Sequence, residues 1–206
     1  MTIKPGEPWG RQVPVPDGLV VADSDRAVVA ALRSDSGSPV QVVGGDLART
    51  LGASVVACPS TRATRNELPI DLVEVVLDGR DPVVACAHVV ARSPWYRGHW
   101  WRGPILAVMN VEFIGDWDIA PRGHPNDGRV EAFEVAPTMA VRARAAARRR
   151  LRSATHLPHR DITTRSVRCQ QWVFPSALDV AIDGHPVGRA SSIGVTVIPD
   201  AAVIYA

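Results

Sequence analysis

From residue 68 onwards the chain consists of short apolar or alternating runs separated by turn signals, and this pattern restricts the fold more than any other feature. Glycine, aspartate and proline mark the turns, as in DGRDP at 78–82, NDG at 126–128 and DGHP at 183–186. The runs cover residues 70–77, 83–90, 105–113, 130–135, 166–174, 178–182 and 193–198. Such runs are typical of an antiparallel β-sandwich or barrel. One helix, over residues 139–154, is predicted to interrupt them, so the expected class is α+β, dominated by β structure.

The N-terminal part of the chain follows a different pattern. After an extended, proline-rich arm at residues 5–17, the apolar run GLVVA at 18–22 has strand length, and AVVAAL at 27–32 has helical spacing. The same order recurs with residues 40–43 and 47–51, and Gly52 suits the end of the second helix. Two consecutive strand–turn–helix units predict a small parallel α/β element ahead of the β-rich part.

Composition excludes several classes of protein. With 46% hydrophobic and 21% charged residues, the 206-residue chain can bury the core of one ordinary domain, or of a small domain with an appendage. A net charge of +2 gives no bulk attraction for nucleic acid, so no nucleic-acid partner is expected. The three cysteines form no C-x-x-C pair, which argues against a disulfide scaffold or a zinc site.

The scarcity of lysine and the lack of long apolar runs restrict the possible catalytic mechanisms and the cellular location. The only lysine is Lys4, which excludes mechanisms that rely on a P-loop, protein-kinase or Schiff-base lysine. No apolar run approaches membrane-spanning length, and the first ten residues do not resemble a signal peptide. We therefore expect a soluble protein in the cytoplasm.

Two acidic turns in the N-terminal element are candidates for phosphate contact. Gly44, Gly45 and Asp46 lie between a predicted strand and helix, where backbone N–H groups and the helix dipole favour an anion. The same residues also suit a tight turn with an aspartate N-cap. Asp23 and Asp25 have the same two interpretations, although no glycine lies inside their turn to admit a phosphate. Both interpretations stay open on spacing alone.

Two Asp-Gly pairs in the β-rich part are a second kind of candidate. Asp127 and Asp183 each precede a glycine between apolar runs, which ordinarily marks a hairpin turn. A carboxylate on such a rigid turn can also hold Mg²⁺ or orient an attacking hydroxyl in a phosphoryl transfer.

A basic helix and an aromatic cluster could form interaction surfaces. The predicted helix carries six arginines spread over more than one face, and Arg142, Arg149 and Arg152 form one stripe. A solvated helix and a surface for an anionic membrane or a phosphorylated ligand both fit this pattern. The segment at 95–102 mixes aromatic residues with arginines, which suits an interfacial patch or the edge of a core. The six histidines lack the spacing of a metal site.

Four segments, in this order, resemble the diacylglycerol kinase and sphingosine kinase family of lipid kinases, which is distantly similar to the NAD kinases. The first two are similar to the segment after the family's second nucleotide motif and to the strand that opens its second domain. The last two are similar to the family's Asp-Gly segments and terminal strands. They are GDLARTLG at 45–52, PIDLVEVVLDG at 69–79, IGDWDIAPRGHPNDGRVEAFEV at 114–135 and VAIDGHPVGRASSIGVTVIPDAAVIYA from 180.

The resemblance implies an α/β nucleotide-binding segment at residues 1–66 and a β-sandwich domain at residues 67–206. In such kinases ATP and Mg²⁺ lie in the cleft, and a carboxylate assists a lipid hydroxyl in attacking the γ-phosphate. By position, Asp127 corresponds to an Asp-Gly associated with metal. Asp183 corresponds to the Asp-Gly near the reacting hydroxyl, and His185 occupies the position of the family's glutamate.

The nucleotide-binding positions implied by the resemblance are Asp23, Asp25, Gly44, Gly45 and Asp46. Fewer residues precede them than in the family, and the glycines of its first phosphate loop are replaced. The sequence therefore predicts a lipid-kinase-like protein that is catalytically degenerate and binds an anionic lipid or a phosphate-bearing ligand. An active kinase that uses ATP and Mg²⁺ and a homo-oligomerisation module are the alternatives.

Overall fold

The computed structural model describes residues 8–34, 37–53 and 64–206. The helices are α1 (Asp25–Leu32), α2 (Gly45–Thr50) and α3 (Val141–Arg150), with 3₁₀ turns at Trp95–Arg97 and Leu151–Ser153. The strands are β1 (Arg11–Pro14), β2 (Val20–Ala22), β3 (Val40–Val42), β4 (Thr64–Leu77), β5 (Val83–Ala85), β6 (His88–Arg92), β7 (Ile105–Met109), β8 (Phe113–Ile114), β9 (Trp117–Asp118), β10 (Val130–Val135), β11 (Ile162–Val167), β12 (Cys169–Ile182) and β13 (His185–Tyr205).

Most strands belong to one hydrogen-bonded sheet. Its main path has the order β1-β4-β13-β12-β6-β7-β10-β11, with antiparallel neighbours throughout. The parallel pair β2 and β3 joins this sheet through the last residues of β13, where Val40 lies opposite Ile204. The prediction of an α+β chain dominated by antiparallel strands is confirmed. The division at residue 66 stays a prediction, and β4 runs across that position.

Differences between predicted and observed strands have local causes. The predicted run 83–90 is split because the N–H groups of Cys86 and Ala87 bond to the Asp183 carboxylate instead of a neighbouring strand. The predicted run 166–174 divides at residue 168, and its second part continues to Ile182 in β12 because Pro175 lies at a bulge, where no ladder hydrogen bond is required. The predicted helix 139–154 is confined to residues 141–150 and continues as a 3₁₀ turn.

Alternating side chains divide the core between the two faces of the sheet. On β6, Val89 and Ala91 belong to a first cluster, whereas Val90 belongs to a second. The first cluster consists of residues from strands, so the sheet curves over itself to enclose them. The second cluster includes residues of α1 and α2, which cover the opposite face. The candidate site lies in this second layer.

Successive side chains of β4 face the two clusters in turn, and Leu72 still packs against the second cluster. Leu68 and Ile70 face the second cluster, and Val73 faces the first. The fully buried Asp71 carboxylate accepts hydrogen bonds from the backbone N–H groups of Gly128 (2.6 Å) and Asp200 (2.8 Å). These bonds tie the backbone at Gly128 and at Asp200 to β4. No helix within the described residues is long and apolar enough to span a bilayer.

Candidate functional site

An acidic centre lies where α1, α2 and β6 meet. It comprises Asp25 in the first turn of α1, Asp46 in the first turn of α2, His88 at the start of β6, and the neighbouring Asp183. His88 Nε2 lies 2.9 Å from Asp46 Oδ2, and the histidine side chain is 2% exposed. Ligand atoms of the first three residues all lie within 4.8 Å of one another. These three side chains could hold a divalent cation.

Asp25 uses its carboxylate to cap helix α2. Its two oxygens accept hydrogen bonds from the N–H groups of Asp46 and Leu47, each at 2.9 Å. Burial is the main cause that raises the pKa of Asp25 to about 6, and the nearby charges of Asp183 and Asp46 add to it. The anion at this helix terminus is therefore a side chain of the protein itself.

The glycines at 44 and 45 permit this close packing. A Cβ on Gly44 would lie 2.2 Å from the carbonyl oxygen of Asp23, and one on Gly45 would lie 2.4 Å from Asp25 Oδ1. Gly45 also has a φ of +89°, which favours glycine. Asp23 itself is exposed, and its carboxylate accepts a 3.3 Å hydrogen bond from Ser24 Oγ. As folded, the two turns pack on each other, and the nucleotide contacts expected of their residues stay predictions.

Asp183 holds the backbone on which His88 lies. Its carboxylate accepts three hydrogen bonds from the N–H groups of Cys86 (3.0 Å), Ala87 (2.9 Å) and His88 (3.0 Å). Asp183 is 7% exposed, whereas His185 is exposed and begins β13. The structure thus places Asp183 beside the acidic centre and leaves His185 on the surface. Their catalytic roles stay predictions.

Asp127 lies in a different environment. It is in the turn before β10, where its carboxylate accepts a 2.9 Å hydrogen bond from the N–H of Arg129. Burial is the main cause that raises its pKa to about 6, and the Asp71 charge contributes. Asp127 does not join Asp25, Asp46 and His88, the group of metal-ligating side chains found in the described part of the chain. Its predicted role with metal is untested.

An apolar cavity of about 130 Å³ lies in the same layer. The main sheet contributes Val90, Ala107 and Phe133 to its wall, and Trp100 and the β9 residue Trp117 also line it. A cavity of about 150 Å³ with apolar walls is large enough for benzene. This one therefore accommodates an apolar group of similar size, and a longer chain would extend through its opening.

Two arginines of α3 accompany this cavity. Arg144 is 5% exposed and donates hydrogen bonds to the carbonyl oxygens of Met139, Trp100, Gly103 and Ala136. Arg148 is exposed, with its guanidinium 5.1 Å from the ring centre of Trp117. Neither arginine forms an ion pair within residues 8–34, 37–53 and 64–206. Among the described residues, no carboxylate pairs with the positive charge at this end of the cavity.

The acidic centre and the cavity share one hairpin. The N–H of Gly115, between β8 and β9, donates a 2.7 Å hydrogen bond to Asp46 Oδ1. Ile114 and Trp117 of the same hairpin line the cavity. On β6, His88 and Val90 are two residues apart, which corresponds to about 7 Å along one face of a strand. A ligand in the cavity would therefore lie close to the acidic centre.

The sequence stripe of Arg142, Arg149 and Arg152 differs from the arginines at the cavity. All three are exposed and none lines it, while Arg144 and Arg148 on the same helix do. Membrane contact through the predicted stripe is untested, as is homo-oligomerisation. In the aromatic segment, Trp95 and Tyr96 are exposed, whereas Trp100 and Trp101 line the cavity.

Sequence reasoning missed the two buried histidines that the fold brings to this layer. His88 meets Asp46 across 42 residues of sequence, and His156 lines the cavity. Neither spacing nor neighbouring residues could indicate these positions, because the partners come from different elements. Cys58 and Lys4, noted in the sequence, lie outside the described residues.

Comparison with known proteins identifies the fold. No protein-family model and no curated protein sequence matches the chain. A solved structure described as a diacylglycerol kinase, from Bacillus anthracis strain Sterne, has a TM-score of 0.60 and 13% identity over 91% of this chain and 75% of its own. Two further structures from that organism, with provisional diacylglycerol kinase descriptions, have TM-scores of 0.63 and 0.62, with 12% and 13% identity. Each is matched over 91% of this chain and 77% of its own.

The chain therefore has a diacylglycerol-kinase-like fold. This confirms the resemblance inferred from the order of its motifs, at the level of the fold.

Proposed function

We propose that this protein binds an amphipathic, anionic lipid and does not transfer phosphate. The apolar part of the lipid occupies the cavity, and its anionic group lies toward Arg148 at the end of α3. The observation that carries this proposal is the apolar cavity flanked by two arginines that have no carboxylate partner in the part of the chain that the structure describes. Burial of the apolar part of the lipid in the cavity supplies the affinity, and the guanidinium of Arg148 selects a ligand with a negative charge.

The packing around α2 supports binding without transfer. The N–H groups of Asp46 and Leu47 are already bonded to Asp25, so they are not available to a nucleotide phosphate. The residues at this turn therefore do not fit ATP in the conformation observed. Three carboxylates lie in or beside the same centre, and an added polyphosphate would face their charge.

The three metal-ligating side chains fit a divalent cation better than they fit a nucleotide. Two carboxylates with one imidazole suit Mn²⁺, Fe²⁺ or Zn²⁺ more than Mg²⁺, which prefers oxygen ligands alone. A cation bound there would offset the negative charge of Asp25 and Asp46.

Titration calorimetry with dodecyl phosphate, kept below its micelle-forming concentration, tests the proposal. We expect saturable binding by the wild-type protein and weaker binding by Arg148→Gln, by up to about fivefold because the guanidinium is exposed. Arg149→Gln is the matched control, since Arg149 is exposed on the same helix but does not line the cavity. Absence of saturable binding, or an equal effect of the two substitutions, contradicts the proposal.

An active lipid kinase is the second candidate. The position of the acidic centre beside the cavity favours it, because a hydroxyl of a bound lipid could approach the carboxylates. It requires ATP and Mg²⁺ to bind the folded protein and so to raise its melting temperature. A Mg²⁺-dependent rise of several degrees with millimolar ATP would favour the kinase over the binding protein, whereas no shift would support the first candidate.

A further inference from the structure

Within the described residues, His156 is a polar residue without a hydrogen-bond partner of ordinary geometry in the wall of the apolar cavity. It follows the 3₁₀ turn after α3 and is 4% exposed. Neither ring nitrogen makes a hydrogen bond of ordinary geometry. Its ring packs 6.3 Å from that of Phe133, which also lines the cavity. Burial of an imidazole in such surroundings lowers the stability of the fold unless a partner forms a hydrogen bond with the ring.

The surroundings define which hydrogen bond is missing. Burial lowers the pKa of His156, so its ring is neutral at pH 7 and carries one N–H and one acceptor nitrogen. The charge of Asp118 and the carbonyl of Ile119 both oppose this lowering of the pKa, and the Ile119 carbonyl favours a proton on the nitrogen that faces it. The other nitrogen is then an acceptor that requires a donor.

Within the described residues, no protein group donates a hydrogen bond to either ring nitrogen of His156. Arg144 also lines the cavity, but its guanidinium already donates to four carbonyl oxygens. A lone water needs two to four polar partners to be held in a cavity, and the remaining walls are largely apolar. A ligand that fills the cavity can supply the donor.

We propose that the cavity selects a lipid chain that carries a hydroxyl group, and that the acceptor nitrogen of His156 receives the hydrogen bond from this hydroxyl. This inference rests on the proposed binding of a lipid in the same cavity and specifies the chain. A hydroxyl suits the position because it donates one hydrogen bond and adds little volume to an alkyl chain. A plain alkyl chain leaves the imidazole buried and unpaired, so the cavity discriminates against it.

The test compares dodecanoate with its singly hydroxylated isomers, with the hydroxyl moved carbon by carbon along the chain. Titration calorimetry gives the affinity of each for wild-type protein, His156→Phe and His156→Gln. The control variant is His159→Phe, because His159 does not line the cavity. In ¹⁵N NMR, binding of the preferred isomer shifts the acceptor-nitrogen resonance of His156, and binding of dodecanoate does not.

We expect one hydroxylated isomer to bind wild-type protein at least about tenfold more tightly than dodecanoate. The preference should disappear in His156→Phe and persist in His159→Phe. If His156→Phe does not fold, the inference is tested instead by the isomer preference of His156→Gln and by the NMR shift of the wild-type protein. Equal binding of dodecanoate and all isomers overturns this inference and leaves the proposed function standing. Absence of binding by every one of these compounds overturns both.

Discussion

Replacement of Asp183 by asparagine tests whether this residue chiefly holds the backbone of the acidic centre. Its two oxygens together accept three hydrogen bonds from consecutive N–H groups, at 2.9–3.0 Å, and the residue is 7% exposed. Asparagine has nearly the same shape but one acceptor oxygen. Its amide N–H₂ would face at least one of these N–H donors.

The expected cost follows from these contacts. A buried N–H left unsatisfied costs about 1–3 kcal/mol, and each retained bond to a neutral oxygen is weaker by about 1 kcal/mol than one to a carboxylate. Relief of repulsion between Asp183 and Asp25 offsets part of this loss. We expect Asp183→Asn to lower the free energy of unfolding by about 3 kcal/mol at pH 7.

Urea unfolding followed by circular dichroism measures this change. Asp179→Asn is the control on the same hairpin, since Asp179 forms an exposed ion pair with Arg189 at 2.8 Å. Such a pair contributes about 0–1 kcal/mol. If Asp183→Asn costs no more than Asp179→Asn, the three backbone bonds do not stabilise the centre and the reasoning is wrong.

Three further predictions concern stability. Because burial raises the pKa of Asp25 from 3.8 to about 6, its stabilising contribution is present below pH 3.8 and is lost as the pH rises through 6. When the pH is lowered from 7 to 5, the free energy of unfolding of the wild-type protein should therefore rise by about 1.4 kcal/mol relative to that of Asp25→Asn, as measured by urea unfolding. A difference that does not change with pH would contradict this. Gly45→Ala should lower the free energy of unfolding by at least about 2 kcal/mol more than Gly52→Ala. Both glycines have a positive φ, but only an alanine at position 45 places its Cβ against Asp25. Equal urea midpoints of the two variants would refute the close contact. Arg144→Met should lower the melting temperature by roughly 4–12 °C, since it removes the hydrogen bonds that Arg144 donates to four carbonyl oxygens, of which the Ala136 carbonyl keeps one from the Met139 N–H, and an unchanged melting temperature would show that these bonds are dispensable.

Local patterns predicted the elements of the fold well where burial and turn chemistry agree. The run at 130–135 coincides with β10, because its bounds depend on residues next to it in sequence. At the turn where an aspartate N-cap was one interpretation, the residue that caps α1 is Ser24. The order of the motifs also identified the fold, although overall identity to the solved structures is 12–13%.

The same local patterns did not reveal which interactions the candidate turns make. From the sequence, the turn formed by Gly44, Gly45 and Asp46 suited either phosphate binding or a tight turn. The carboxylate that accepts the hydrogen bond from the Asp46 N–H, at the start of α2, comes from Asp25, which lies 21 residues earlier in the chain. Asp183 is 95–97 residues from the N–H groups that it holds. Pairings over such distances leave no periodic signal in the sequence.

By itself, the sequence determined the class of the fold, the turns between strands and the positions of the acidic residues. These depend on the period of apolar side chains and on backbone preferences, which act over a few neighbours. Only the tertiary structure decided that Asp25 caps α2, that His88 meets Asp46, and that His156 lines an apolar cavity. Burial and hydrogen bonding between distant segments are created when the sheet closes over its core, so their chemistry exists only in the folded chain.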